Sequence, residues 1–126
     1  MIEQINGAVF NEKIIDSDGV IVVKVYTDTC PNCKTLTPFY EKANAEKSDG
    51  YHFYDLKAQD GMDWVRKYKV LGVPTLLFFR KGLLLDKKTG VISSEKILRR
   101  LDKIAALDES KLTKKEVTGF FKMPWK

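Results

Sequence analysis

Residues 20–34 read VIVVKVYTDTCPNCK, and this stretch decides how the rest of the chain is interpreted. Its first part, VIVVKVY, is rich in β-branched residues without polar alternation, which is typical of a strand buried on both faces of a sheet. Lys24 interrupts that apolar run, and an unpaired ammonium buried there would cost several kcal/mol. The sequence therefore predicts either a partner for Lys24 or a side chain that extends along the strand to reach water.

Cys30 and Cys33 follow this strand and open a predicted helix. Pro31 suits the first helical position because its missing N–H would have no helical acceptor anyway. Cys30 is then expected at the N-cap, where free backbone N–H groups and the helix dipole favour a thiolate. Cys33, one turn later, is predicted to be more buried and placed to attack a sulfur held by Cys30.

A pair of cysteines at this spacing fits either a redox dithiol or half of a metal site. Zinc usually takes four ligands, and His52 is the only histidine in the chain, so a metal would have to bridge two copies. A redox dithiol needs no such bridge. We therefore expect thiol chemistry with no metal and no other cofactor.

Composition fits one domain of 126 residues. The start of the sequence has no basic stretch leading into an apolar run, and no apolar run is long enough to span a bilayer. These features predict a cytoplasmic protein without membrane contact. The net charge of +5 is spread along the sequence, which favours a solvated surface or mild attraction to acidic partners. No basic run alternates with aromatic residues, so nucleic-acid binding is not expected.

The apolar patterns predict an α/β fold with a mixed sheet and helices on both faces. Pro38 is expected to kink the helix that follows the cysteines. Ser93 is placed to cap the last main helix. The predicted helices span 8–16, 31–47, 61–68 and 94–105, and the predicted strands span 20–26, 51–57, 75–79 and 83–89.

The sequence resembles the thioredoxin family over about residues 1–107. Pro38 in CKTLTP matches the family's helix-kinking proline, and VLGVPTLLFFRKG resembles the segment around its cis-proline, here Pro74. Gly82 and Gly90 fall at matching turn and groove positions. The resemblance implies the thioredoxin fold, a central mixed β-sheet flanked by helices on both faces.

One feature of the resemblance bears on Lys24. Thioredoxins usually bury an aspartate at the position of Lys24 and a lysine at the position of Asp55. We therefore expect Lys24 and Asp55 to form the same buried pair with the charges exchanged, on neighbouring strands beneath Cys33. Because the family's aspartate helps to deprotonate the inner cysteine, the resemblance implies that role for Asp55 or for a neutral Lys24 amine.

The activity implied by the resemblance is protein-disulfide reduction. Cys30 would attack a disulfide in a partner protein, and Cys33 would resolve the mixed disulfide. A reductase of the kind that serves thioredoxins would then supply electrons. Pro74 would keep an N–H away from the sulfurs, and the backbone of Val73 would pair with the substrate. The implied contact surface comprises Thr29, Pro31, Asn32, Val73 and Gly90.

Two residues depart from the family pattern. Thr29 replaces the tryptophan that commonly precedes the first cysteine, and Pro31 directly after Cys30 resembles glutaredoxins. A reduction potential between about −270 and −200 mV is therefore expected. These departures also keep a second hypothesis open, a non-catalytic module that holds partners in its groove and tail.

Residues 108–126 extend beyond the usual end of this fold. Thr113 and Glu116 have the spacing of a capping box, and Leu112 and Val117 have that of a hydrophobic staple, so a short helix plus tail is predicted. Such a helix must pack on its own domain, on a partner or on a second copy. For a partner or a second copy, the candidate anchors are Phe120, Phe121, Met123 and Trp125.

Overall fold

A mixed sheet of five strands forms the centre of the molecule, and the computed structural model describes residues 2–117. The strands are β1 (Glu3–Ile5), β2 (Val20–Tyr26), β3 (Tyr51–Lys57), β4 (Thr75–Arg80) and β5 (Leu83–Thr89). They lie in the order β1-β3-β2-β4-β5. β3 pairs in parallel with β1 and β2, whereas β4 pairs antiparallel with β2 and β5.

Helices lie along the sheet and close its two cores. They are α1 (Gly7–Phe10), α2 (Pro31–Glu46), α3 (Met62–Lys67), α4 (Ser94–Ala105) and α5 (Leu112–Lys115). The Ser93 side chain accepts the N–H of Lys96 at 3.2 Å, which confirms the predicted cap of α4. No helix in the described part of the chain is both long and apolar enough to cross a membrane.

Alternate residues of β2 enter two different cores, which explains why this strand lacks polar alternation. Val20 and Val22 pack with Leu36 and Tyr40 of α2 in one cluster of buried side chains. Ile21 and its odd-numbered neighbours pack on the other side, in a cluster shared with α1 and α3. Lys24 has the parity of Val20 and Val22, so its side chain leaves the strand on the α2 side.

The N-terminal segment differs from its prediction. A short edge strand, β1, precedes the first helix, and the sequence analysis missed it because three residues show almost no periodicity. The predicted helix over 8–16 begins one residue earlier, at Gly7, since Asn6 accepts the N–H groups of Ala8 and Val9. It continues as a wider π-type turn over Asn11–Ile15.

The C-terminal segment begins its helix before the predicted capping box. Asp108 accepts the N–H of Ser110 and starts a 3₁₀ turn, Glu109–Lys111, which runs directly into α5. Thr113 therefore lies inside α5 rather than at its N-cap, and the predicted capping box of Thr113 and Glu116 is not formed.

Leu112 and Val117 do not form the predicted staple. Leu112 is buried in the cluster that contains Leu36 and Tyr40 of α2. Val117 instead packs against the cluster shared with α1 and α3, and it donates its N–H to the Leu84 carbonyl at 2.6 Å. The segment thus packs on its own domain as far as Val117. The anchors predicted beyond this point, Phe120, Phe121, Met123 and Trp125, lie outside the described residues.

Candidate active site

Cys30 and Cys33 form a disulfide at the start of α2, with their Cα atoms 5.2 Å apart. Cys30 is the N-cap and Pro31 the first helical residue, as the sequence predicts. The backbone N–H of Cys33 donates to Cys30 Sγ at 3.1 Å. Together with the helix dipole, this donor stabilises negative charge on Cys30 when the bond is reduced.

Lys24 and Asp55 are register partners on the parallel strands β2 and β3. The Lys24 ammonium lies 3.4 Å from Asp55 Oδ1, and the two side chains are 6% and 20% exposed. The expected buried pair with exchanged charges is therefore present, and Lys24 does not extend to the surface. The contact is an ion pair, and among the described residues Oδ1 has no hydrogen bond of good geometry.

A loop with a cis peptide bond between Val73 and Pro74 lies at the start of β4. The Gly90 N–H donates to the Pro74 carbonyl at 2.9 Å, which joins this loop to the end of β5. Thr75 strengthens the junction, since its hydroxyl donates to the Gly72 carbonyl at 2.6 Å and lies 2.9 Å from that of Thr89.

The cysteine pair at a helix start, the cis-proline loop and the mixed sheet are the features that the family resemblance implied. The thioredoxin family model matches residues 1–103. The chain belongs to the thioredoxin family.

Several thioredoxin-family proteins are similar to this chain. A thioredoxin of Pseudomonas aeruginosa is 26% identical over 101 residues, which are 80% of this chain and 94% of the relative. A mitochondrial thioredoxin of Schizosaccharomyces pombe is 40% identical over 76 residues, 60% of this chain and 56% of the relative. A probable protein disulfide-isomerase of Medicago sativa is 40% identical over 75 residues, 58% of this chain. The match spans only 21% of that last protein's length.

The family and the site agree on the chemistry of the domain. A cysteine pair at disulfide distance on a thioredoxin fold is a thiol–disulfide oxidoreductase centre. The pair uses both cysteines of the chain.

The surroundings of Lys24 include residues that the sequence analysis did not assign to the site. Its ammonium donates to Thr37 Oγ1 at 3.2 Å, and Thr37 in turn donates to the Cys33 carbonyl at 3.0 Å. The ammonium also lies 5.0 Å from the ring centre of Tyr40 and 5.7 Å from that of Tyr26. Helical spacing could have indicated both residues, because Thr37 and Tyr40 lie four and seven residues after Cys33 and therefore on the same face of the helix.

A pocket of about 280 Å³ brings Cys33, Lys24 and Asp55 to one space beside α2. Burial raises the pKa of the Asp55 carboxyl above its ordinary value, although the Lys24 ammonium opposes that rise. The raised pKa describes a carboxylate that takes up a proton more readily than a surface aspartate does.

The predicted contact residues are accessible to a substrate. Thr29, Pro31 and Asn32 are exposed, and Val73 and Gly90 are partly exposed. Two apolar residues that the sequence analysis missed adjoin them along the chain, Leu71 at 92% exposure and Val91 at 36%. The sequence did contain a signal for both, because Leu71 lies in the loop before Pro74 and Val91 directly follows Gly90.

His52, the one histidine considered as a metal ligand, lies far from the cysteines along the sheet. It pairs with Ile21 near the start of β2, whereas Cys30 follows the end of that strand. Within residues 2–117 no three acidic, cysteine or histidine side chains form a group that could hold a metal ion.

Proposed function

We propose that the protein reduces disulfide bonds in partner proteins through the Cys30–Cys33 dithiol. The observation that carries this proposal is the Cys33 N–H donated to Cys30 Sγ at the start of α2. That donor prepares Cys30 to react as a thiolate while Cys33 remains behind it. A reductase of the thioredoxin-reductase type is the proposed electron donor.

The exchange proceeds in two displacements. The Cys30 thiolate attacks one sulfur of a substrate disulfide, forming a mixed disulfide and releasing the other substrate sulfur as a thiolate. Cys33 then loses its proton, attacks Cys30 Sγ and releases the second substrate thiolate, which leaves the Cys30–Cys33 disulfide. The substrate gains two electrons from the dithiol, and its two thiolates take up two protons. The reductase later returns two electrons to the pair.

Asp55 is the proposed acceptor of the Cys33 proton. Its carboxylate shares the pocket with Cys33, its pKa is raised by burial, and its Oδ1 has no hydrogen bond from the described residues. Lys24 is the proposed positioning residue, since it pairs with Asp55 and reaches the Cys33 carbonyl through Thr37. The proton transfer is therefore proposed within one group of contacting side chains, joined by the Lys24–Asp55 ion pair and the hydrogen bonds of Thr37.

Substrate binding is proposed at the surface formed by Thr29, Pro31, Asn32, Val73 and Gly90. Val73 lies two residues before β4 begins at Thr75, and we propose that its backbone pairs with an extended substrate strand as a short addition to the sheet. Pro74 places no N–H beside the sulfurs. Leu71 and Val91 add apolar contact area to the same surface.

We also propose that residues 1–107 form the catalytic domain, with residues 108–126 as an extension. The burial of Leu112 supports an extension that is packed on the domain rather than separate from it. We propose that any contact of the tail with a partner or a second copy is made by residues after Val117. We propose that the protein is located in the cytoplasm. Because one relative is a mitochondrial thioredoxin, the mitochondrion is the alternative location to test.

Reduction of insulin by dithiothreitol, followed by turbidity, tests the function. We expect activity in the native protein and none in Cys30→Ser. Reduced Cys33→Ser, mixed with insulin after dithiothreitol is removed, should accumulate a mixed disulfide. Asp55→Asn should slow resolution by about tenfold to a hundredfold. It should also remove the acid limb of the rate profile that protonation of Asp55 imposes.

Asp63→Asn is the matched control, because that carboxylate is 98% exposed and does not line the pocket, and it should leave the rate unchanged. No turnover by the native protein would favour the binding-module hypothesis instead. Turnover with Asp55→Asn equal to the native rate would remove Asp55 from the mechanism without affecting the role of the cysteines.

A further inference from the structure

A second concavity, larger than the pocket beside Cys33, lies between β5, α4 and α5. Its volume is about 600 Å³, and we call it the basic groove. Six cationic side chains from these three elements line it: Lys88, Lys96, Arg99, Arg100, Lys103 and Lys115. The redox chemistry described above uses none of them.

The basic groove accounts for the whole net charge of the chain. Asp86 is its one acidic lining residue, so the groove carries six positive charges and one negative. Taking these from the totals of 22 basic and 17 acidic residues leaves sixteen of each sign elsewhere. Charge that is spread along the sequence is thus gathered in three dimensions, because the fold brings together cations that lie between positions 88 and 115.

Most of this charge is unneutralised. Asp86 is engaged by Arg100 at 2.6 Å, and within residues 2–117 no ion pair involves any of the other five cations. Lys96, Arg99, Arg100 and Lys103 share one face of α4 by their spacing, so their charges add along the groove. A concave surface lined by one sign of charge concentrates the electrostatic potential and attracts the opposite sign.

The floor of the basic groove is apolar. Leu85, Ile92, Ile104 and Leu107 supply it, and no aromatic ring lines the groove among the described residues. A nucleic acid would find phosphate contacts there but no ring on which to stack its bases. A polypeptide that alternates carboxylates with aliphatic side chains would satisfy both the cations and the floor.

The chain's own C-terminal residues are poorly suited to this site. Residues 118–126, TGFFKMPWK, contain two lysines and no acidic side chain. Their charge has the same sign as the groove and would be repelled by it. Charge complementarity therefore selects an occupant from another protein.

We propose that the basic groove binds an acidic, aliphatic-rich segment of a partner protein. The binding does not require the redox pair, so it adds an interaction to the enzyme rather than a step to its reaction. Since Ile92 in the groove is two residues from Gly90, one end of the groove approaches the surface proposed for disulfide substrates.

Fluorescence anisotropy with a labelled peptide of alternating Glu, Leu, Asp and Val residues tests the proposal on the full chain. We expect saturable binding that weakens as salt is raised, because salt screens exposed charges. Arg99→Glu with Lys103→Glu should weaken binding by at least about tenfold. Lys96→Gln with Arg99→Gln, a milder change at exposed positions, should weaken it by a smaller factor.

Lys42→Glu with Lys111→Glu is the matched control, since it makes the same change in net charge at exposed positions outside the groove. The control and the Cys30→Ser, Cys33→Ser double variant should bind like the native protein. Equal loss in the groove variant and the control would overturn the proposal, because it would show a non-specific charge effect.

Competition experiments with the labelled acidic peptide test whether the groove binds a different class of ligand. Displacement of the acidic peptide by inorganic phosphate or by a single-stranded DNA oligonucleotide at equal charge concentration would overturn the proposal in favour of a phosphate ligand. Displacement by a peptide of residues 118–126 would overturn it in favour of the chain's own segment. Failure of all three competitors, with weakened binding in the groove variant, is the expected result.

Discussion

At the scale of single residues, the Lys24–Asp55 pair shows why the charges are exchanged. Coulomb attraction between two register partners is the same whichever strand carries the cation. The neighbours are not symmetric, because the Lys24 ammonium lies near the rings of Tyr26 and Tyr40. An aromatic face attracts a cation and repels a carboxylate. The two rings therefore favour lysine on β2 and aspartate on β3.

Reversing the pair tests this reasoning. Lys24→Asp alone places two carboxylates together in a buried site and should lower the free energy of unfolding by about 3 kcal/mol. Adding Asp55→Lys should recover at least about half of that loss, but not all of it, since the new carboxylate at position 24 faces the rings of Tyr26 and Tyr40.

Urea unfolding of the oxidised native protein, both single variants and the double variant gives the coupling energy directly. Simple additivity of the two single changes would contradict a direct interaction between Lys24 and Asp55. Complete recovery in the double variant would leave the pair intact but would remove the rings as the reason for its polarity.

At the scale of elements, the agreement between sequence and structure depends on how strong each local signal is. β2 and β3 have the predicted bounds because each is a long apolar or aromatic run with clear ends. The helix start at Cys30 was predictable because proline fits only a few helical positions. β1 and the early start of α5 were not predictable, since one is a three-residue edge strand and the other depends on Asp108 acting as an earlier cap.

The turn between β4 and β5 supports a second prediction. Gly82 has φ +77°, and a Cβ placed on it would lie 2.7 Å from the Ile15 carbonyl oxygen. Gly82→Ala should therefore combine left-handed strain with a backbone clash and lower the free energy of unfolding by more than about 2 kcal/mol. Gly50→Ala is the matched control, since Gly50 has φ +90° but open space around it.

Thermal or urea unfolding of the two alanine variants separates strain from contact. Gly50→Ala should cost only the strain, about 1 kcal/mol. Equal losses in the two variants would mean that the close approach of Ile15 to Gly82 contributes nothing. The β4–β5 hairpin would then be held by its own turn alone, without support from the residues that follow α1.

At the scale of the whole molecule, the two surfaces that we propose for recognition differ in their chemistry. The surface proposed for disulfide substrates has small polar and apolar side chains, and the basic groove has mostly unpaired cations over an aliphatic floor. The sequence indicated the first face because its residues lie in short motifs. It could not indicate the second, because β5, α4 and α5 each contribute only part of the charge and only the fold brings them together.

The reduction potential is also a property of the whole molecule, because it is linked by a thermodynamic cycle to the unfolding free energies of the oxidised and reduced forms. We expect a value between about −270 and −200 mV, since the N-cap position and the Cys33 N–H stabilise the reduced Cys30 thiolate. Each rise of about 30 mV corresponds to about 1.4 kcal/mol less stability of the oxidised form relative to the reduced form.

Titration against a dithiol buffer measures this potential, and urea unfolding of both redox forms checks the cycle independently. A value near −270 mV would fit a general reductant, whereas a value above about −200 mV would indicate a protein that donates its disulfide to substrates instead. Ser93→Ala is a useful control, because losing the cap of α4 should lower the stability of both redox forms by about 1 kcal/mol and leave the potential unchanged. A change in potential in that variant would mean that the redox pair responds to the stability of the whole fold rather than to its position at the start of α2.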